Sequence, residues 1–389
     1  MISRTNRILS ALSKLSLGLS VARHAPWWLG YATARRHNSS DETHARAAVD
    51  WLLFAARQGG DGVAHSLHLA RGWLPAYPET TGYIIPTLLL AAGRYGWAEA
   101  ETAAIAAWNW LRGIQRNDGG FVDLAGQPQV FDTGQILIGL NMLCARGVPG
   151  ADAAAAKAAD WLCRQQAADG SFVRHAYNDQ PHAYYARVGA ALVEAGQRLG
   201  LAKVGAAGLR NLEWTLGQQA TDGWFRHMSF AKHPPFSHTI VYTLEGLLAG
   251  HRLSGDQRLL AAVVSLSRAL RVRISADGGV IRSQYREGLV AVDDQVCVTG
   301  LCQWAAHCFR LSRLGDPELA TKFASEGRRS LEAAKALQMH SPLAALHGAL
   351  PGSVPLAGRY MRFALPNWGV KFFLDALLEA GAGDLPPLV

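Results

Sequence analysis

The chain has 389 residues, of which 49% are hydrophobic, 17% charged and 9% aromatic. These fractions are typical of a globular protein with a large core, and they exclude a disordered or fibrous chain. No run of 18 or more apolar residues occurs, so the sequence predicts no membrane-spanning helix. The five cysteines include no Cys-x-x-Cys pair, which argues against a disulfide framework or a structural zinc site and favours a reducing, cytoplasmic compartment.

The formal net charge is +8, from 38 basic and 30 acidic residues. Part of this excess lies near the N-terminus, where six basic residues meet no acid: Arg4, Arg7, Lys14, Arg23, Arg35 and Arg36. Nucleic-acid binding would require a denser basic stripe with interleaved aromatics, so nucleic acid is not predicted as a partner. An anionic substrate or a membrane surface is the more economical partner, and a basic surface without any partner is the alternative.

The first 42 residues form a basic, partly amphipathic extension ahead of the main domain. Lys14 interrupts its apolar run and no small-x-small cleavage site follows, which argues against a signal peptide. Four apolar residues recur there at helical spacing, namely Ile8, Leu12, Leu15 and Leu19. We expect a helix that packs on the domain, with peripheral contact to an anionic membrane as the alternative.

A helical segment that runs into an Asp-Gly pair recurs along the chain. Its five aspartates follow one another at nearly regular intervals: Asp61, Asp118, Asp169, Asp222 and Asp277. A second, more apolar helical segment starts a short connection after each of them, and a degenerate sixth unit ends in a helix from Asn367. Each unit is therefore a helical hairpin that must stack on its neighbours to bury its apolar face.

Six such hairpins predict an all-α fold, an (α/α)6 toroid over residues 43–389, with the more apolar helices inside. Outer helices are expected to begin near residues 43, 99, 151, 205, 256 and 317. Inner helices are expected to begin near residues 79, 132, 184, 238, 293 and 367. An open solenoid is the alternative, but the Asp-Gly turns and long inner connections fit a closed ring better.

The segments QRNDGGF, QQAADGSF and QQATDGWF resemble the repeats of terpenoid cyclases and of protein prenyltransferase β-subunits. The resemblance covers roughly residues 45 to 385 and implies the toroid, in which the glutamine and the aromatic tie an outer helix to its turn. A YPETTGY-like first repeat is closest in character to toroid proteins associated with bacterial exopolysaccharide gene clusters. The resemblance does not specify chemistry, because the same toroid carries many glycoside hydrolases and polysaccharide lyases.

The N-termini of six inner helices converge on one face of such a ring, where their partial positive charge favours carboxylates and anionic ligands. The candidate catalytic residues at this rim are Glu79, Asp132, Tyr184, His238 and Asp293. The candidate substrate-binding residues are Tyr77, Tyr83, Gln135, Tyr185, Arg187, Asp294, Asn367 and Trp368. Aromatic faces and polar groups together suit a sugar, although each acid taken singly is equally explained as a helix cap.

Two carbohydrate mechanisms follow from this rim. ETTG at an inner-helix start is similar to segments of toroid glycoside hydrolases that act on unsaturated uronides. A hydrolase needs one protonated and one ionised carboxyl, for which Glu79, Asp132 and Asp293 are candidates. A uronide lyase needs a base, Tyr184 or His238, and a group such as Arg187 or Asn367 that neutralises the substrate carboxylate.

Isoprenoid chemistry is the second hypothesis. The segment AVDD resembles the DxDD motif of class II terpenoid cyclases, with Asp293 as the acid and Ala291 in place of the first aspartate. A zinc prenyltransferase is disfavoured, because two residues separate Asp294 from Cys297 where that family has one. A noncatalytic scaffold that binds glycan or protein is the third hypothesis.

The leading hypothesis is a glycan-active enzyme. It would bind and modify, by hydrolysis or lyase chemistry, a bacterial polysaccharide or a lipid-linked oligosaccharide in exopolysaccharide biosynthesis or turnover. The expected partner is a saccharide with anionic character. The sequence predicts no cofactor and no metal site.

Overall fold

A computed structural model of the chain describes residues 24–36, 39–381 and 386. The helix expected between Ile8 and Leu19 lies outside these residues. A short helix α1 (Ala25–Thr33) precedes the repeats. The outer helices are α2 (Asp41–Gly59), α4 (Ala98–Ile114), α6 (Ala151–Gln165), α8 (Ala202–Leu216), α10 (Gln257–Ala276) and α12 (Pro317–Lys335). The inner helices are α3 (Pro78–Tyr95), α5 (Val130–Ala145), α7 (Ala186–Leu199), α9 (Ser237–Ser254), α11 (Val298–Ser312) and α13 (Asn367–Gly381).

The inner helices form a closed ring. Each inner helix contacts the next one in sequence, and α13 contacts α3. Each also packs against the outer helix that follows it, while α2 packs against α13. The first outer helix therefore completes the last hairpin and joins the two ends of the chain. The predicted (α/α)6 toroid is confirmed, and an open solenoid is excluded.

Small residues set the spacing of this ring. A Cβ on Gly139 of α5 would overlap the carbonyl oxygen of Gly82 in α3, so the two inner helices cross with their backbones in contact. Most residues of each inner helix are buried, whichever way they face, and residues such as Ile136 and Leu137 are fully inaccessible to solvent. Such a helix is stabilised by its neighbours on all sides rather than by one apolar face.

The repeat glutamines have the role that the sequence resemblance implied. The Nε2 of Gln166 donates to the carbonyl of Gly170 in its own turn, at 3.1 Å, and to that of Ala207 in the next outer helix, at 2.8 Å. The equivalent bonds run from Gln115 to Gly119 and Ala154, and from Gln219 to Gly223 and Ala262. In these three repeats, one side chain thus holds the turn and the following repeat together.

Short antiparallel strands join the connections on the face where the inner helices begin. The strands β1 (Ser66–His68) and β2 (Gly72–Trp73) lie in the first connection, and β7 (Ala364–Pro366) lies in the last. β1 pairs with both of the others, in the order β2-β1-β7. This sheet joins the connections of the first and last repeats on the face where the inner helices begin.

One predicted helix start is wrong. α11 begins at Val298 and not near residue 293, because the preceding residues are extended. β4 (Val290–Ala291) pairs with β3 (Tyr285–Arg286), and β5 (Val296–Cys297) pairs with β6 (Ser353–Val354) in the sixth connection. The other eleven predicted helix starts lie within three residues of the observed ones.

None of the described helices is long and apolar enough to cross a membrane. All five cysteines are free thiols, and three of them are buried in the ring.

Candidate active site

A cavity of about 240 Å³ opens where the inner helices begin. Its walls come from the first turns of α3, α5, α9 and α13 and from the connections that precede α7, α9 and α13. Eight aromatic side chains line it: Tyr77, Tyr83, Phe131, Tyr177, Phe230, Tyr242, Tyr360 and Trp368. Glu79, Thr80, Asn178, His238 and Met361 complete the lining. Among the described residues, no lysine or arginine belongs to this lining, so these walls present no cation.

Glu79 is the carboxyl group that faces this cavity, in the first turn of α3. Burial and the neighbouring charge of Asp132 raise its pKa well above the usual range for glutamate. A hydrogen bond with Tyr77 and the more distant charge of Arg187 oppose this rise. Glu79 therefore favours its protonated form more than an exposed glutamate does, which suits a catalytic acid.

Asp132 lies behind Tyr177 at the start of α5 and is fully buried. Its Oδ1 accepts a hydrogen bond of 2.5 Å from the hydroxyl of Tyr177. Burial raises the pKa of Asp132 to about 7, while the hydroxyls of Tyr177 and Tyr77 favour its ionised form. Within the described residues, Oδ2 has no hydrogen-bond partner. Two carboxyl groups from adjacent repeats thus lie on one side of the cavity, with Glu79 in the lining and Asp132 behind Tyr177.

The two carboxyl groups are joined by two tyrosines. The hydroxyl oxygens of Tyr77 and Tyr177 are 2.9 Å apart. Each hydroxyl has one proton to donate, and an ionised carboxylate can only accept. With Asp132 ionised, the Tyr177 proton is therefore donated to Asp132. The hydroxyl of Tyr77 contacts that of Tyr177 and also hydrogen-bonds Glu79. The result is a chain of hydrogen bonds that joins the two carboxyl groups.

His238, in the first turn of α9, also lines the cavity, and its orientation is fixed from behind. Its Nδ1 lies 2.6 Å from Oε1 of Gln303, whose Nε2 donates to Glu245 at 3.3 Å. Because a carboxylate only accepts, the amide must present its oxygen to His238, and Nδ1 must carry the proton. Burial lowers the pKa of His238 to about 3. The ring is therefore neutral, with an unprotonated Nε2.

Arg187 and Gln135, which were predicted to bind substrate, lie beneath the cavity floor. The guanidinium of Arg187 donates to Glu245 at 2.6 Å and to Oε1 of Gln135 at 2.8 Å. It also lies 4.7 Å from the centre of the ring of Tyr242, which lines the cavity. Both residues are fully buried, and they support the floor and the His238 network without facing the cavity.

Five of the predicted site residues line the cavity together: Glu79, His238, Tyr77, Tyr83 and Trp368. The indole of Trp368 donates to the hydroxyl of Tyr360 at 2.8 Å, which fixes two of the aromatic walls. Asp132 is connected to the same cavity through Tyr177. The convergence that the helix starts predicted is therefore present for the repeats that contribute α3, α5, α9 and α13.

Asp293 and Asp294 do not reach this cavity, so their predicted position at the start of an inner helix is wrong. Asp293 accepts a hydrogen bond from the backbone of Gln295 and lies 3.6 Å from Nε of Arg359. The side chain of Asp294 is almost completely exposed. Both residues lie in the loop between β4 and β5, because strand pairing delays the helix to Val298.

Three further predicted residues support the walls. Tyr184 is buried behind the cavity, with its ring 5.1 Å from Phe131 and 5.4 Å from Phe230. Tyr185 accepts a hydrogen bond from the backbone of Tyr177 through its hydroxyl. Asn367 donates to the carbonyl of Ala64 and to the hydroxyl of Thr80. Tyr184, Tyr185 and Asn367 position lining residues and do not themselves line the cavity.

Sequence reasoning missed several lining residues because it considered only helix starts. Tyr177, Phe230 and Tyr360 come from the connections between an Asp-Gly turn and the next inner helix. The length of those connections was a usable signal, since long connections frequently carry functional residues. Tyr242 could also have been found, because it lies four residues after His238 on the same helix face.

The sequence matches no protein-family model and no curated protein. Among solved structures, an unsaturated glucuronyl hydrolase from Bacillus sp. GL1 is 15% identical with a TM-score of 0.70, over 88% of this chain and 97% of that one. An unsaturated glucuronyl hydrolase specific for heparin is 14% identical with a TM-score of 0.70, over 87% and 96%. A D-mannose isomerase is 12% identical with a TM-score of 0.65, over 88% and 99%. At these identities the similarity establishes the fold, an α/α toroid that this chain shares with enzymes of sugar chemistry.

Proposed function

We propose that the chain is a glycan-active enzyme of the glycoside hydrolase type. It holds one sugar residue of a saccharide in the cavity and cleaves the adjoining glycosidic bond by acid–base catalysis. The observation that carries this proposal is the chain of hydrogen bonds from Glu79 through Tyr77 and Tyr177 to Asp132. In this proposal Glu79, whose pKa is raised well above the usual range, is the protonated member of the pair and Asp132 is the ionised one, and hydrolysis requires such a pair.

The two carboxyl groups have different roles in this mechanism. Glu79 gives its proton to the leaving glycosidic oxygen as the bond to the anomeric carbon breaks. Water adds its hydroxyl to that carbon and releases a proton through the tyrosine hydroxyls to Asp132. After product release, the same tyrosines return this proton from Asp132 to Glu79, so that the starting state is restored. The pKa of Asp132, about 7, is suited to a group that must both take and release a proton near neutral pH.

The rest of the cavity is suited to binding a sugar ring. Aromatic faces such as those of Trp368 and Tyr242 can stack on a pyranose, and Nε2 of His238 can accept a hydrogen bond from a hydroxyl. The volume of about 240 Å³ is below the range of about 300–1,000 Å³ that is typical of sites for drug-sized ligands. One ring fits this volume better than a longer chain does.

Lyase chemistry on a uronide has less support. That mechanism needs a cation or amide against the substrate carboxylate, and no lysine or arginine lines the cavity within the described part of the chain. Arg187 is paired with Glu245, and the side-chain amide of Asn367 is engaged with Ala64 and Thr80. Tyr184, the proposed base, is behind the wall. The sugar in the cavity is therefore a neutral residue in our proposal.

An isoprenoid substrate is the second candidate, favoured by the eight aromatic side chains of the lining. The acid would then be Glu79, because Asp293 is outside the cavity. The small volume argues against a long prenyl chain. In a noncatalytic scaffold we would expect the rim acids to pair with arginines and no cavity to remain. Glu79 instead faces a cavity, and its carboxyl is in no ion pair among the described residues.

The biological setting is inferred from the resemblance of the YPETTGY segment to exopolysaccharide-associated proteins. In this setting the substrate is a bacterial exopolysaccharide or its lipid-linked precursor, and the protein works in the cytoplasm or at the membrane surface.

The proposal is tested by incubating the purified protein with bacterial exopolysaccharides and their oligosaccharides and measuring new reducing ends and product masses. We expect Glu79→Gln and Asp132→Asn to reduce the rate by about 10²- to 10⁴-fold, because each removes acid–base assistance. Glu326→Gln is the matched control, since Glu326 is a buried carboxyl that bonds Trp304 far from the cavity.

Wild-type rates in Glu79→Gln would refute the proposed mechanism. Turnover of isoprenoid diphosphates in place of saccharides, lost in Glu79→Gln, would establish the second candidate instead.

A further inference from the structure

A basic and aromatic surface lies beside the entrance of the cavity. It is built from three segments that contain no aspartate or glutamate, residues 24–36, 62–78 and 336–366. The segments are in contact: the backbones of Arg35 and His340 exchange hydrogen bonds of 3.0 and 2.8 Å, and β1 pairs with β7. Three segments without acidic residues therefore lie together where the first and last repeats meet.

We use the name entrance patch for Trp27, Trp28, Arg36, Arg71 and Arg362. The three arginines are exposed, and within the described residues none of them takes part in an ion pair. Some exposed arginines elsewhere are paired, as Arg258 is with Glu213 and Asp256, while others such as Arg174 and Arg226 are exposed without an ion pair among the described residues. The entrance patch is distinguished by its acid-free segments and by its place beside the cavity. The positive charge of the entrance patch is therefore available to a ligand.

The patch is continuous with the cavity. The ring of Trp28 lies 5.5 Å from that of Phe363, and the guanidinium of Arg362 lies 5.4 Å from the same ring. Phe363 follows the lining residue Met361 by two positions. On the other side, Arg71 precedes Gly72, where a Cβ would lie 3.5 Å from the ring of Trp27.

The cavity and the entrance patch differ in charge: the patch carries exposed arginines, and the cavity lining carries none among the described residues. The lining described above has no lysine or arginine, so an acidic group of a ligand finds no cationic partner among those side chains. A saccharide that leaves the cavity past Met361 meets Arg362, which follows that residue directly, and then Phe363, whose ring Trp28 contacts. Acidic sugar residues are consequently accommodated outside the cavity and a neutral residue inside it.

We infer that the entrance patch binds the acidic residues of a polysaccharide whose neutral end residue occupies the cavity. This inference rests on the proposed function and adds the substrate class, an acidic polysaccharide. Guanidinium groups bind carboxylate or sulfate in a forked geometry. A membrane surface is less suited to the patch, because Trp27 is stacked on His24 and Trp28 packs edge-on against Phe363, so neither indole stands free to insert among acyl chains.

The test compares two triple variants that each remove three positive charges. Arg36→Ala/Arg71→Ala/Arg362→Ala changes the patch, and Arg174→Ala/Arg226→Ala/Arg268→Ala is the control on exposed arginines away from these segments. Binding to alginate, to hyaluronan and to neutral dextran is measured by affinity electrophoresis at low and high salt. All proteins also carry Glu79→Gln, so that no substrate is consumed.

We expect the patch variant to bind at least one acidic polysaccharide tenfold or more weakly than the control variant, with the difference shrinking at high salt. Equal binding by both variants would overturn the inference. So would binding of the parent protein to phosphatidylglycerol vesicles without binding to either acidic polysaccharide, which would identify a membrane surface.

The two proposals fail separately. If the patch variant loses binding but no saccharide is ever cleaved, the proposed function is wrong and the entrance patch remains a binding site. If the wild-type protein cleaves saccharides and the patch variant binds like the control, only the present inference is wrong.

Discussion

The hydroxyl oxygen of Tyr177 lies 2.5 Å from Oδ1 of Asp132, although 45 residues separate the two positions. Asp132 begins an inner helix, whereas Tyr177 belongs to the connection of the next repeat. The bond closes the chain that starts at Glu79 and passes through Tyr77. Catalysis in our proposal therefore depends on the contact between neighbouring repeats, and the following predictions test that dependence.

The hydrogen bond from Tyr177 favours the ionised form of Asp132, so its removal raises the pKa of this carboxyl above about 7. Because Asp132 must be ionised to act as base, activity increases as pH rises through its pKa. Tyr177→Phe also interrupts the proposed proton path, so its rate should fall, and the acidic limb of the remaining pH–rate profile should shift to higher pH. Tyr95→Phe, which alters a tyrosine stacked on Trp97 at the far end of α3, should leave the limb in place. An unchanged limb in Tyr177→Phe would contradict the assignment of Asp132 as base.

The raised pKa of Asp132 also affects stability. A carboxyl whose pKa is higher in the folded than in the unfolded protein favours folding at low pH, and this contribution is lost as pH rises from about 4 to about 7. Asp132→Asn removes this dependence. We expect its unfolding free energy to exceed that of the wild type by a margin that grows between about pH 4 and about pH 7 and reaches a few kcal/mol at higher pH. A margin that does not change with pH would show that Asp132 is ionised in the folded protein throughout.

Gln303 is a positioning residue for His238. Gln303→Met removes the acceptor of Nδ1–H, so the neutral ring should lose its single tautomer. Gln303→Glu should keep Nδ1–H and raise the pKa of His238, because a carboxylate then faces the ring. Both effects are measurable from the ¹⁵N shifts of the imidazole. KM should rise in the methionine variant more than kcat falls, since His238 binds a sugar hydroxyl in our proposal. Wild-type shifts in both variants would exclude the positioning role.

The turn glycines differ in how closely they are packed. Gly170 has φ of +92°, and a Cβ there would overlap the carbonyl oxygen of Arg210. Gly255 has φ of +75°, but no atom lies within 4 Å of its Cβ position. Both valine variants suffer from the backbone conformation, and only Gly170→Val also separates two repeats. We expect Gly170→Val to have the lower melting temperature. Equal melting temperatures would show that the Asp-Gly turn does not require this close approach.

Two adjacent glutamines allow a matched test of the hydrogen bonds by which a glutamine joins its turn to the next repeat. Gln166 joins Gly170 to Ala207, whereas Gln165 donates only to Trp161 within its own helix. Gln166→Leu leaves two carbonyl groups without this donor and should reduce the unfolding free energy by about 1–3 kcal/mol. Gln165→Leu should cost less. Denaturant unfolding measures both, and a larger loss in Gln165→Leu would contradict the role of the repeat glutamine.

The sequence by itself determined the repeat, the toroid and most helix boundaries. The reason is that these features depend on near neighbours. An Asp-Gly turn, a glutamine shortly before it and an apolar helix after it are local, and their regular recurrence along the chain requires stacking. Glu79 and His238 could be assigned to the cavity because each lies in the first turn of an inner helix.

Only the tertiary structure decided which side chains meet. The predicted position of Asp293 was wrong because the pairing of Val296 with Val354 extends the chain before α11. No local sequence pattern indicates that a strand partner lies in the connection of the next repeat. Tyr177 was missed for a related reason, since its bond to Asp132 exists only when two repeats pack side by side. Buried polar groups select partners from whatever the packing brings within about 3 Å. Helix positions could therefore be predicted from sequence, whereas the hydrogen-bond chain and the entrance patch could not.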